Sequence, residues 1–189
     1  MPLYIPPIVV VGRAKAGGTT HYMVPGVELS ATGTVAIAAN VLRYEPFITN
    51  TTITIDQLAL EVTTASAGGT TLRMGIYNAD TDWQPTSLIV DAGTVAADSL
   101  GVKTASISQT LSPGRYLKVI NSDSTPTLRT GRGGSALLGA QSTLTSAPFF
   151  TPSVATAYAA FTAAGVAWTT LITSGSPPVH YVFCRVSVP

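Results

Sequence analysis

Apolar residues in this chain recur mostly at every second position, and that period constrains the fold more than any other feature. From Ile53 they run Ile53, Ile55, then Leu58, Leu60 and Val62, with one slip at Asp56-Gln57. A repeat of two is the side-chain period of a β-strand, and a single slip is the mark of a β-bulge. Leu72, Met74 and Ile76 alternate with Arg73, Gly75 and Tyr77, and Ala105 and Ile107 alternate with Thr104, Ser106 and Ser108. Ala67-Gly68-Gly69 and Ser112-Pro113-Gly114 read as turns, and residues 115–120 are expected as the partner strand that follows the second. Residues 34–37, 41–47 and 88–90 add shorter strands. At the C-terminal end Val182, Cys184, Val186 and Val188 form one face, and Tyr181, Phe183 and Arg185 the other. Neither face is wholly polar, so this strand is expected to be central.

Helix signals are scarce. Residues 154–164 are Ala-rich, with Ser153 as a candidate N-cap and Gly165 as a stop, but Thr156 and Thr162 weaken the pattern, leaving a short helix and an irregular segment as equal readings. The expected fold is all-β, an antiparallel β-sandwich of jelly-roll type, over residues 21–189. Residues 1–20 read as a separate extended N-terminal arm or, equally, as a first strand of the same domain. Pro2, Pro6 and Pro7 bar it from a central strand, while Tyr4, Ile5, Ile8, Val9 and Val10 need cover, so it is a candidate assembly arm. The expected core is Leu58, Leu60, Leu72, Met74, Ile76, Ile107, Leu117, Val119, Val182 and Cys184, flanked by Val102 and Tyr116.

Only 10% of the 189 residues are charged, and the formal net charge is +1. A chain this neutral lacks the basic surface that captures nucleic acid, so no nucleic-acid partner is expected. No Asp, Glu, Lys or Arg stands between Arg132 and Arg185. Residues 154–172 are uncharged but rich in Ala and Thr, so a membrane span is not expected; a covered segment anchored by Phe161 or Trp168 is. The first residues lack the basic start of a signal peptide, and one cysteine cannot form an internal disulfide.

Chemical motifs are few. Residues 12–19 approach a phosphate-binding loop, but Gly18 stands where the lysine must be. Residues 131–136 touch the dinucleotide fingerprint without its strand–helix setting. His21, His180 and Cys184 supply at most three zinc ligands. Asn78, Asp80 and Asp82 have the alternate-oxygen spacing of a calcium loop, but Trp83 occupies the position that needs glycine. No catalytic, metal or cofactor site is expected. Trp83, Tyr158, Phe161 and Trp168 remain as candidate contacts with a glycan or a partner, because a ring offers an apolar face.

Residues 53–121 carry a further pattern: Arg73-x-Gly75-Ile76-Tyr77, an acidic turn, Pro85-x-x-Leu88, Asp91-Ala92-Gly93-Thr94-Val95, Gly101-Val102, and Leu111-x-Pro113-Gly114-x-Tyr116. It resembles a β-sandwich module of structural and tail-fibre-like virion proteins of tailed bacteriophages; Trp83 departs from it, standing where the module tends to have glycine. The resemblance implies a non-enzymatic virion structural protein, made in the host cytoplasm and exposed on head or tail. Self-association as a homo-oligomer, with a trimer expected, contact with other virion proteins, and decoration of the particle or attachment to the host surface follow from that reading. The alternative is a carbohydrate-binding module for a cell-surface glycan.

Overall fold

The computed structural model describes residues 29–133, 152–168, 170–171 and 179–187. The candidate arm residues Tyr4, Ile5, Ile8, Val9 and Val10 lie outside them. Two antiparallel sheets pack face to face as a β-sandwich. The strands are β1 (Leu29–Ala36), β2 (Val41–Thr49), β3 (Ile53–Thr64), β4 (Thr71–Ala79), β5 (Pro85–Ala96), β6 (Gly101–Leu111), β7 (Gly114–Ser122), β8 (Thr127–Gly133), β9 (Pro152–Ala155), β10 (Thr170–Leu171), β11 (Val179–His180) and β12 (Phe183–Ser187). One sheet, A, holds β1, β8, β3 and β6 with the C-terminal pieces β11 and β12. The other, B, runs β10-β9-β2-β7-β4-β5. No helix occurs among the described residues, so none there is long and apolar enough to cross a membrane.

The alternation read from the sequence sets the inner layer. Ile53, Ile55, Leu58, Leu60 and Val62 of β3 face Leu72, Met74 and Ile76 of β4 in one core, with Phe47, Tyr116, Ile120 and Cys184. The slip at Asp56 is a bulge on both sides of β3: the register shifts against β6 between Ile55 and Gln57, and against β12 between Arg185 and Val186. It keeps both halves of β3 in phase with the core. Ile107 is half-buried at the rim of the core.

Two expectations change. Residues 115–120 do not pair with the strand before them. β6 pairs with β3, whereas β7 lies between β2 and β4, so Ser112-Pro113-Gly114 carries the chain from one sheet to the other. The Tyr116 hydroxyl closes that corner by donating to the Ser112 carbonyl at 2.6 Å, and a Cβ on Gly114 would come within 3.1 Å of the same hydroxyl. Tyr116 is buried as expected, but Val102 is 59% exposed, because its strand is an edge and its side chain lies on the outer face. Of the two readings of residues 154–164, the irregular segment holds: β9 ends at Ala155, and an irregular strap follows.

The C-terminal strand fills a fork. β8 pairs with β3 only at Thr127 and Leu128, and beyond that point the two diverge. β11 pairs with β8 at Arg132 and Gly131, and β12 pairs with β3 from Ala59 to Thr54. The segment 179–187 thus has partners on both sides, with a break in its pairing at Tyr181-Val182.

Candidate functional site

Sheet B is apolar on both faces. In β2, β4 and β7, Leu42, Tyr44, Tyr77, Leu117 and Val119 point away from sheet A and form a second cluster. Residues 156–168, the strap, cover it. The strap leaves β9 at one edge of sheet B, crosses the sheet, and reaches β5 at the opposite edge. There Leu88 N–H donates to the Ala163 carbonyl at 2.9 Å, and Gly165 N–H donates to the Thr86 carbonyl at 2.8 Å. The chain then returns to pair β10 with β9.

All four aromatic candidates lie on or under this strap, and the structure divides them. Phe161 is seated over Gly75, where a Cβ would stand 2.8 Å from the ring and 2.7 Å from the Val90 carbonyl oxygen. Its ring meets Tyr77 edge-on at 6.2 Å, and the Arg73 guanidinium lies 5.8 Å from its centre. Tyr158 is at the far end of β4, accepting a hydrogen bond from the Thr71 hydroxyl at 2.8 Å. Trp83 and Trp168 meet at the other end. Trp168 Nε1 donates to the Trp83 carbonyl at 2.8 Å, and its backbone N–H donates to Gln84 Oε1 at 3.1 Å. Both indoles are half-buried, with Arg115 5.7 Å from the centre of the Trp83 ring. The aromatic candidates therefore form no continuous platform: two tryptophans stand together, Phe161 is packing, and Tyr158 is remote.

Polar groups hold the strap to the sheet. Arg73 and Asp91 face each other across β4 and β5, with Nε 2.9 Å from both carboxylate oxygens. Asp91 also accepts from Gly93 N–H at 2.9 Å and from Phe161 N–H at 3.2 Å. Burial alone would raise its carboxyl pKa, but the Arg73 guanidinium and the two N–H donors outweigh burial and hold it below the ordinary 3.8. The Tyr77 hydroxyl donates to the Thr162 carbonyl at 2.8 Å, and the Tyr44 hydroxyl to the Val166 carbonyl at 2.8 Å. Burial pushes both phenols up, so both stay protonated donors at neutral pH.

Trp83 departs from backbone expectation. Its φ is +63°, in the left-handed region where a side chain costs about 1–2 kcal/mol. Glycine would adopt that angle at no steric cost. The surrounding loop is closed by Asp80, whose Oδ1 accepts from Asp82 N–H at 2.9 Å and Gln84 N–H at 2.8 Å. The alternating oxygens of Asn78, Asp80 and Asp82 thus fold as a polar turn, with Asn78 Nδ2 donating to the Ser87 hydroxyl at 2.8 Å. Among the described residues, no group of three His, Cys, Asp or Glu side chains is placed to hold a metal ion.

A buried ion pair lies inside the sandwich. Glu45 and Lys118 are cross-strand partners in β2 and β7, 2.8 Å apart, and both side chains are 0% exposed. Glu45 accepts from Tyr181 N–H at 2.8 Å and from Val182 N–H at 3.2 Å, and Lys118 donates to the Val182 carbonyl. The pair supplies the partners that the gap between β11 and β12 leaves missing. An unpaired backbone group in this interior would cost about 1–3 kcal/mol. The pair's only trace in the sequence is a charge within each of the runs LRYEPF and RYLKVI, and each run also carries an arginine. Cys184, close by, is fully enclosed, and burial pushes its thiol up to about 12. It is an inert core residue.

Compared with known proteins, the chain matches no family model, no curated protein and no solved structure.

Proposed function

We propose that the protein is a non-enzymatic structural component of a tailed-bacteriophage particle, exposed on head or tail as a homo-oligomer. It decorates the particle or aids attachment to the host surface. The reading starts from the resemblance carried by residues 53–121. One observation carries it further: the side chains of that pattern serve the framework itself. Arg73, Asp91 and Gly93 fasten the strap, Gly75 seats Phe161, Tyr77 holds Thr162, and Tyr116 closes the corner between sheets. A signature used mostly for rigidity suits a building block. The strand order β1-β8-β3-β6 over β2-β7-β4-β5 supports the jelly-roll form of the sandwich, in which two Greek keys interlock.

The carbohydrate-binding alternative has one observation in its favour. Trp83 keeps a strained backbone angle beside a second half-exposed indole, and strain of that kind concentrates at binding sites. The test is electron microscopy of purified particles with gold-labelled antibody against this protein, alongside a glycan array probed with the protein. Gold on the head or tail surface is the expected result. Unlabelled particles together with saturable glycan binding that Trp83→Ala abolishes would overturn the first reading in favour of the second.

A further inference from the structure

Strand β6 is an open edge of the described fold, as β1 is on the other side of sheet A, and large exposed apolar side chains stand beside β6. It pairs with β3 alone among the described residues, so the other row of its backbone N–H and C=O groups has no partner there. The outer edge of sheet B differs, since the strap is bonded to β5 there. Natural edge strands are guarded by charges, prolines or bulges. Between Gly101 and Leu111 there is one charge, Lys103, whose ammonium is held at 2.7 Å by the Ser99 hydroxyl, and no proline. The bulge on β6 falls at residues 107–108, opposite Asp56, and leaves Val102–Ser106 as an uninterrupted run against β3. The large exposed hydrophobics among the described residues, Leu100 at 66% and Val102 at 59%, stand at the start of that run. Among the described residues, an unpaired edge and two exposed apolar side chains thus stand at one place.

We propose that this stretch of β6 accepts Ile8–Val11 of a neighbouring copy as an added strand. The inference rests on the homo-oligomer reading and names its contact. Ile8, Val9, Val10 and Val11 are the chain's run of four consecutive β-branched apolar residues, bounded by Pro7 and Gly12. Proline before them and glycine after limit the added strand to about their own length, which the five residues 102–106 accommodate. β-branched residues beside Val102 would cover it and Leu100 while backbone bonds complete the edge. The homo-oligomer reading places the donor on a neighbour; residues 12–28 are also long enough to reach β6 of the same chain, and the experiment separates the two. The arm enters the described fold at Leu29 in β1, and β8 and β3 separate β1 from β6 across sheet A. A copy placed beside the β1 edge presents its own β6 to that arm directly. Each copy then gives an arm at one edge and receives one at the other, a head-to-tail contact that generates a ring when its rotation closes.

The experiment uses the full chain with paired cysteines. Thr104 is exposed in the middle of the acceptor run, and neighbouring strand residues point to opposite faces, so only one of Val9 and Val10 shares its face. Val9→Cys with Thr104→Cys, and Val10→Cys with Thr104→Cys, are oxidised with oxidised glutathione, which takes the two electrons and leaves as two thiols. The enclosed Cys184 stays silent, and the single variants serve as controls. The expected result is covalent multimers on a non-reducing gel in most of the chains of one pair, several-fold fewer in the other, and none in the controls. An intrachain bond that leaves a monomer overturns the neighbour as donor. No bond in a protein that light scattering finds oligomeric overturns the inference and leaves the homo-oligomer reading standing. No bond in a protein monomeric at every concentration overturns both.

Discussion

At the residue scale the decisive groups are those that break the apolar alternation. Glu45 and Lys118 sit where the pattern of β2 and β7 calls for an aliphatic side chain, and they hold the Tyr181-Val182 backbone. Removing one charge strands the other, so Lys118→Met should lower stability by about 3–5 kcal/mol, read by denaturant melting. A loss below about 1 kcal/mol would mean that the pair is not enclosed as described. Trp83 allows a subtler comparison. Trp83→Ala and Trp83→Gly both remove the indole, but only glycine relieves φ +63°. The glycine variant should be the more stable by about 1 kcal/mol, and equal melts would show no strain at this position. The inward apolar residues were legible from spacing, because each strand's phase was unbroken or slipped once. The ion pair was not, because its reason lies in a gap in another strand, some 64 residues from Lys118 in sequence.

At the element scale, strands are set by local period, whereas their partners are set by the whole chain. That is why β3, β4 and β6 could be read directly while Ser112-Pro113-Gly114 was mistaken for a hairpin. A turn motif fixes a change of direction, and whether the next strand joins the same sheet depends on β2 and β4, between which β7 inserts. The strap was legible as an uncharged segment in need of cover, with Phe161 or Trp168 as its anchor, but not the face it would cover. Gly75 is its keystone: Gly75→Ala places a methyl against Phe161 and the Val90 carbonyl. It should cost about 1–3 kcal/mol and shift Trp168 fluorescence to longer wavelength as the strap lifts; an unchanged spectrum would contradict the seating. Asp91 gives the strap an acid dependence. Its folded pKa lies below the ordinary 3.8, so its stabilisation is complete above that value and is lost as pH falls through the folded pKa. Acid titration of tryptophan emission should therefore show strap release below about pH 4. Asp91→Asn should remove that step and lower stability at neutral pH. A step that persists in the variant would assign the transition to another carboxylate.

At the scale of the whole molecule, charge is scarce and the sheets carry the information. Four ion pairs tie elements together among the described residues: Arg73–Asp91, Lys118–Glu45, Arg129–Glu61 and Arg185–Asp56. The formal net charge is only +1, so little repulsion keeps copies apart, which suits a molecule that works among its own kind. The central claim is that this sandwich is a repeated part of a particle. Quantitative mass spectrometry of purified particles, with the protein counted against the major shell subunit, tests it most directly. The account predicts a fixed copy number in a multiple of three that survives washing in high salt. Recovery of the protein wholly in the soluble fraction of the lysate, with none on the particles, would contradict it.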